Sequence, residues 1–226
     1  MIASIYSTLL DNTAHGEDAF LVRDLGNHSF LDVVLDGVTG HGGEEASRSV
    51  SEALNAATIN SLEDVVAVLE DMNDEFFQVG GGRFLLTTVS AALYQNDRVY
   101  AVNAGDSPMY HIRSGSHQQL GGRVGGLLRP GGTKVIGGEE KLSLIRTEIT
   151  IAPGDRLVLV TDGVSDNLHV AELVQIIRDA HSPEEASKQI KSAVELHLEQ
   201  GLAPELLGAR YRHDDQTAIV RFFSPE

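Results

Sequence analysis

Apolar residues come in short alternating or continuous runs through the first part of the chain. Met1–Leu10, Ala19–Arg23 and Phe30–Leu35 read as β-strands. Gly42-Gly43 then opens an Ala/Ser/Glu-rich stretch, Glu44–Thr58, with the composition of a helix. A second helix is predicted over Leu62–Phe77, where Val65, Val66, Leu69, Met72 and Phe76 recur at helical spacing. Strands are predicted at Phe84–Leu93, Arg98–Ala104 and Met109–Arg113, parted by Asn96-Asp97 and by Gly105-Asp106-Ser107-Pro108. The run Arg113-Ser114-Gly115-Ser116-His117 reads as a hairpin turn, not as a serine nucleophile elbow. Ile145–Ile151 and Arg156–Thr161 are further strands, followed by helices at Val170–Ala180 and Pro183–Gln200. Ser182 and Glu185 form a capping box for the second of these, and Gln216–Phe223 is a closing strand. Strands in runs with helices in pairs predict a layered α+β fold of antiparallel sheets with helices outside, not a parallel Rossmann sheet.

Composition changes this picture by exclusion. The 226 residues carry 17 basic and 33 acidic side chains, a formal charge of −16, which disfavours nucleic acid and anionic membranes as partners. There is no cysteine, so disulfides, thiolate zinc sites and cysteine nucleophiles are out. No His-Glu-x-x-His pattern supports a zinc protease. Met1–Asn12 lacks the basic and apolar regions of a signal peptide, and no apolar stretch reaches membrane-spanning length. The expectation is an acidic, cytoplasmic domain.

The candidate chemistry lies at strand ends. Val33-Val34-Leu35-Asp36-Gly37, Ala101-Val102-Asn103-Ala104-Gly105-Asp106 and Val158-Leu159-Val160-Thr161-Asp162-Gly163 each run an apolar strand into an aspartate at a glycine turn. Glu17-Asp18 and Asp214-Asp215 stand just before two other strands. Gathered together, such carboxylates repel one another unless a cation lies between them, and all-oxygen sites suit magnesium or manganese. Each Asp-Gly alone is equally a common turn, and residues alone reach an oxygen-ligated metal site without naming a substrate.

Gly16-Glu17-Asp18-Ala19, Asp36-Gly37-Val38-Thr39-Gly40-His41-Gly42-Gly43, Thr87-Thr88, Asn103-Ala104-Gly105-Asp106-Ser107, Gly154-Asp155-Arg156 through Thr161-Asp162-Gly163-Val164-Ser165-Asp166, and Asp214-Asp215-Gln216-Thr217 follow one another along the chain. In this order the chain resembles the metal-dependent serine/threonine protein phosphatases of type 2C, in a short bacterial-like form, from about residue 4 to residue 223. The resemblance implies one phosphatase domain over residues 1–226: a central β-sandwich of two antiparallel sheets flanked by pairs of helices, in four layers, with a short flap at about 121–138. It also implies two manganese or magnesium ions, and in some members a weaker third. Asp36 would bridge the two ions and the Gly37 carbonyl would ligate one; Asp162 and Asp214 would complete the first ion. Asp18, partly through water, and Glu17, through a water further out, would serve the second, while Asp106 and Asp166 match the third. A water between ions roughly 3.5–4 Å apart would attack phosphorus in line, with no covalent phosphoenzyme. A phosphoprotein substrate and a monomeric enzyme are expected.

Four departures from the family pattern stand out. Thr13 occupies the place of a phosphate-binding arginine, Val38 that of a histidine proposed as general acid, and Leu86 that of a glycine before the double threonine. Asp215 replaces a usual asparagine. His41 is the candidate catalytic histidine, either hydrogen-bonding behind the metal ligands or packing. The flap holds eight glycines and Arg123, Arg129 and Lys134, with no acid and no P-loop ending. It reads as a flexible solvated loop or as the source of the phosphate contact, through Arg123 or Arg129. Competing readings are a regulatory pseudophosphatase that keeps the fold as a binding module, and a phosphatase of anti-sigma-factor antagonists.

Overall fold

The computed structural model describes residues 2–122, 134–200 and 213–226. In chain order these form β1 (Ile2–Asp11), β2 (Asp18–Gly26), β3 (Ser29–Asp36), α1 (Gly43–Ala56), α2 (Leu62–Gly80), β4 (Val89–Gln95), β5 (Arg98–Ala104) and β6 (Met109–Arg113). The series continues with β7 (Ser116–Gly121), β8 (Ile145–Thr150), β9 (Arg156–Val160), α3 (Asp162–Ser165), α4 (Val170–Asp179), α5 (Pro183–Gln200) and β10 (Gln216–Pro225). Among the described residues the strands make two five-stranded sheets, ordered β1-β10-β9-β6-β7 and β2-β3-β4-β5-β8, antiparallel at every pairing.

The inner strands β3, β4, β9 and β10 are buried along nearly their whole length because both of their faces are covered. Between the sheets, Val34, Ala92, Tyr94, Val99 and Ala101 meet Met109, Leu157, Leu159, Ile219 and Phe223. On the far side of one sheet, Leu31, Val33 and Leu35 pack against Val50 and Leu54 of α1 and Val65, Leu69 and Phe76 of α2. On the far side of the other, Val158, Val160, Ala218 and Val220 pack against Leu173 and Ile177 of α4 and Ile190 and Val194 of α5. Period-two alternation therefore assigns β3, β9 and β10 one set of side chains to the sandwich interior and the other to the helices. The result is the helix–sheet–sheet–helix layering that the resemblance implies.

One charged pair is buried within the sandwich. Arg221 of β10 donates from Nε and Nη2 to the two Asp32 oxygens of β3 at 2.8 and 2.6 Å, and from Nη1 to Ser4 Oγ at 2.9 Å. Its guanidinium lies over the rings of Tyr6, Phe30 and Tyr94. The pair ties the sheets together and satisfies most of its own donors.

Four local expectations are corrected. The strand predicted over Phe84–Leu93 begins at Val89. Leu85 has a φ of 57°, and Thr87 makes only isolated bridges, to Gly37 and Ile136. Ser116–Gly121, read partly as a turn, is a strand that the neighbouring β6 holds in register. Asp162–Ser165 is a helical turn after β9. The Ser182 hydroxyl accepts from Glu185 N as foreseen, but the Glu185 carboxylate caps His181 N rather than Ser182 N. A full capping box forms instead at Ser61 and Asp64, at the start of α2.

Candidate metal centre

The acidic residues collect at one end of the sandwich because strand parity sends them there. Asp18 continues the inward-facing set of Phe20 and Val22 on β2, and Asp36 continues that of Val34 on β3. The register pairs Asp18 directly with Asp36. Thr161 and Thr217 hold the equivalent inward positions on the other sheet, beyond Leu159 and Ile219. Their hydroxyls both donate to Asp18 Oδ2, at 2.8 and 2.7 Å. Thr217 N in turn donates to Thr161 Oγ1 at 3.0 Å.

Backbone contacts close in from three sides. Gly37 N donates to Glu17 O at 3.1 Å, and Ser47 of α1 donates its hydroxyl to the same carbonyl at 2.6 Å. A Cβ at Gly37 would stand 2.4 Å from the Gly43 backbone and 2.6 Å from Glu17 O, so only glycine permits this meeting of segments. At Gly163 a Cβ would stand 1.9 Å from Asp215 O. That approach seats Asp162, the first residue of α3, against the Asp214-Asp215 segment.

Asp36 is held through its main chain. Thr88 N donates to Asp36 O at 2.8 Å, Thr87 Oγ1 donates to the same oxygen at 3.0 Å, and Asp36 N donates to Thr88 Oγ1 at 3.2 Å. Thr88 Oγ1 also shares a 2.8 Å hydrogen bond with Ser107 Oγ. Asn103 Nδ2 donates to Ser90 Oγ and to the carbonyls of Val89 and Ser107, which fixes the turn that carries Asp106. The double threonine and the Asn-Ala-Gly-Asp-Ser run thus act together on one aspartate.

The carboxyls pay an electrostatic penalty for this gathering. Burial pushes Asp36 well above the usual carboxylate range, and the charges of Asp162, Asp18, Asp106 and Asp214 push it further. Burial likewise pushes Asp18 up to about 7, with Asp215 and Asp162 adding repulsion and the two threonine hydroxyls opposing it. The donor set is all oxygen and strongly anionic, which fits a hard divalent cation. Among the described residues, no three carboxylate or histidine side chains stand as a closed ligand set.

Other predicted residues divide. The Glu17 carboxylate accepts the Thr39 hydroxyl. Asp166, the C-cap of α3, donates its N–H to Asp162 O at 2.7 Å. Asp214 accepts Asp215 N at 3.0 Å. His41 is exposed, and its Nδ1–H donates to Arg83 O at 2.7 Å, pinning the loop before α1 to the loop after α2. Thr13 donates its hydroxyl to Asp11 at 2.7 Å. Arg123 and Arg129 lie outside the described residues.

Sequence reasoning gave no role to Asp215, and the structure gives it one. Its carboxylate accepts the backbone N–H groups of Ala14 at 3.1 Å, His15 at 2.9 Å and Glu17 at 2.7 Å. A carboxylate, an acceptor on both oxygens, can take all three; an asparagine would turn an NH₂ against one of them. The donors lie about 200 positions away in sequence, so only the substitution of the usual asparagine could have signalled it.

The fold is shared with solved structures. The structure is similar to "PppA, a key regulatory component of T6SS in Pseudomonas aeruginosa", with a TM-score of 0.75, 22% identity and 97% of each chain covered. It is similar to the catalytic domain of the serine threonine protein phosphatase PstP in complex with 2 manganese ions, with a TM-score of 0.73, 21% identity and 100% of each chain covered. A serine/threonine phosphatase from Staphylococcus aureus matches at a TM-score of 0.76 and 21% identity, over 96% of this chain and 94% of that one. At these identities the likeness concerns the fold. No curated protein sequence matches the chain. The family model described as Stage II sporulation protein E (SpoIIE) matches residues 29–221, from the first residue of β3 into β10. The chain belongs to the SpoIIE family, on a type 2C phosphatase fold.

Proposed function

We propose that the chain is a metal-dependent phosphatase of phosphoserine and phosphothreonine proteins, acting as one domain. The observation that carries this is the pairing of Asp18 with Asp36 at the sandwich end, inside the field of Asp162, Asp214 and Asp106. The match to a manganese-bound phosphatase catalytic domain supports it. Asp36, Asp162 and Asp214 would hold one manganese or magnesium ion, and Asp36, the Gly37 carbonyl and Asp18 a second. When bound, such ions supply charge neutralisation at the phosphoryl oxygens and an acidified water. The chain's own part is to hold the carboxylates rigid: Thr87 and Thr88 fix Asp36, Thr161 and Thr217 orient Asp18, and Asp215 anchors the segment bearing Glu17. Asp106 and Asp166 are assigned to a weaker third ion, and His41 to shaping the loop after Gly37.

A second reading rests on Asp18. Its Oδ2 already accepts two hydroxyls, which also suits a regulatory module that keeps the fold and turns over slowly. Hydrolysis of para-nitrophenyl phosphate separates the two. The phosphatase reading expects a rate that needs manganese, is lost in EDTA and is lost in Asp36→Ala. A wild-type rate no greater with manganese than with EDTA would leave only the regulatory reading.

A further inference from the structure

A phosphoryl group that enters an acidic cluster is held by hydrogen-bond donors of the protein as well as by cations. Five threonine hydroxyls near the acidic motifs already have partners. Thr13 is committed to Asp11, Thr39 to Glu17, Thr161 and Thr217 to Asp18, and Thr88 is paired with Ser107. The His41 ring is committed to the Arg83 carbonyl.

His15 differs from all of these. Its Nε2 stands 3.8 Å from Asp214 Oδ1, beyond hydrogen-bond distance, and its side chain is 39% exposed. The ring therefore borders the acidic cluster with an N–H that the carboxylate does not consume. Its backbone is fixed at the same time: His15 N and its neighbours Ala14 N and Glu17 N all donate to the buried Asp215 carboxylate. Asn12 Nδ2 adds a bond to Asp18 O at 2.8 Å, so the segment leading into β2 is tied down at both ends. A ring presented from so fixed a segment loses little freedom when it meets a ligand.

We propose that His15 is a substrate-binding residue of this site, donating a ring N–H to an oxygen of the phosphoryl group. The inference rests on the phosphatase reading above. A histidine ring carries at least one N–H donor in either tautomer. Asp215 is the positioning residue behind it.

The test compares wild type, His15→Ala and His15→Asn as full chains loaded with manganese. With a phosphoserine peptide, His15→Ala should raise KM about tenfold, the scale of one hydrogen bond to a charged group, while kcat changes less. His15→Asn, which keeps an N–H donor, should recover part of that loss. Inorganic phosphate should inhibit His15→Ala more weakly by a similar factor, and manganese affinity by calorimetry should match wild type. An unchanged KM and phosphate inhibition in His15→Ala overturns the proposal. So does a fall in manganese affinity that accounts for the KM change, since the ring would then act on Asp214 instead. If wild type shows no metal-dependent turnover, the phosphatase reading itself fails. Calorimetry with inorganic phosphate then decides separately: binding to manganese-loaded wild type that weakens in His15→Ala supports the contact, and equal or absent binding overturns it.

Discussion

Strand β3 carries two aspartates on one face, with Val34 between them, and their surroundings could hardly differ more. Asp32 is fully buried and meets the Arg221 guanidinium through two parallel hydrogen bonds, beneath three aromatic rings. Asp36, at the strand end, feels the charges of four other carboxyls. Burial alone therefore does not mark a functional acid. The first is balanced within the chain and holds the two sheets together. The second is pushed towards its neutral form by burial and by its acidic neighbours. A protein that keeps such a site gains no stability from it, which points to a use.

The largest expected effect breaks the balanced half. Asp32→Ala leaves the Arg221 charge unpaired in the sandwich, with a loss of about 3–5 kcal/mol of stability in denaturant unfolding. Asp32→Leu combined with Arg221→Met, which removes both charges, should recover most of it. Equal destabilisation in the single and double variants would show that shape, not charge, is what the pair supplies.

The second effect concerns the unbalanced half and its sign is opposite. Asp18 has a folded value near 7 against an ordinary 3.8, and Asp36 is raised in the same direction. A carboxyl raised on folding contributes stability below its unfolded value and loses it as pH rises through its folded value. Metal-free protein should therefore melt at progressively lower temperature from about pH 4 to pH 7 as Asp18 ionises. Saturating manganese should remove much of that slope by binding the ionised cluster. Asp155 works the other way: burial would raise it, but Arg113, His111 and Ala152 N hold it below the ordinary range. Its contribution is present above pH 3.8 and lost only on further acidification. A metal-free melting temperature that rises between pH 4 and 7 would contradict the assignment of Asp18 and Asp36.

The layers of the fold were legible because β3, β9, α2 and α5 carry their own patterns. The strand Ser116–Gly121 was not, since Ser-His-Gln-Gln has no alternation and becomes a strand only beside β6. Phe84–Leu93 was over-extended because apolar content cannot reveal the left-handed turn at Leu85. In the site, the strand-end aspartates announced themselves through repeated Asp-Gly endings. Asp215 and the threonines around Asp18 did not, because their partners lie far away in sequence. Asp32 could have been suspected, as an acid inside the apolar run Phe30–Leu35, but nothing local names Arg221 as its partner.

The most direct measurement is a calorimetric titration of manganese into wild type, Asp36→Asn and Asp32→Asn at neutral pH. The account predicts saturable binding in wild type, its loss in Asp36→Asn, and its retention in whatever fraction of Asp32→Asn remains folded. Manganese binding of equal strength in Asp36→Asn and wild type would contradict it.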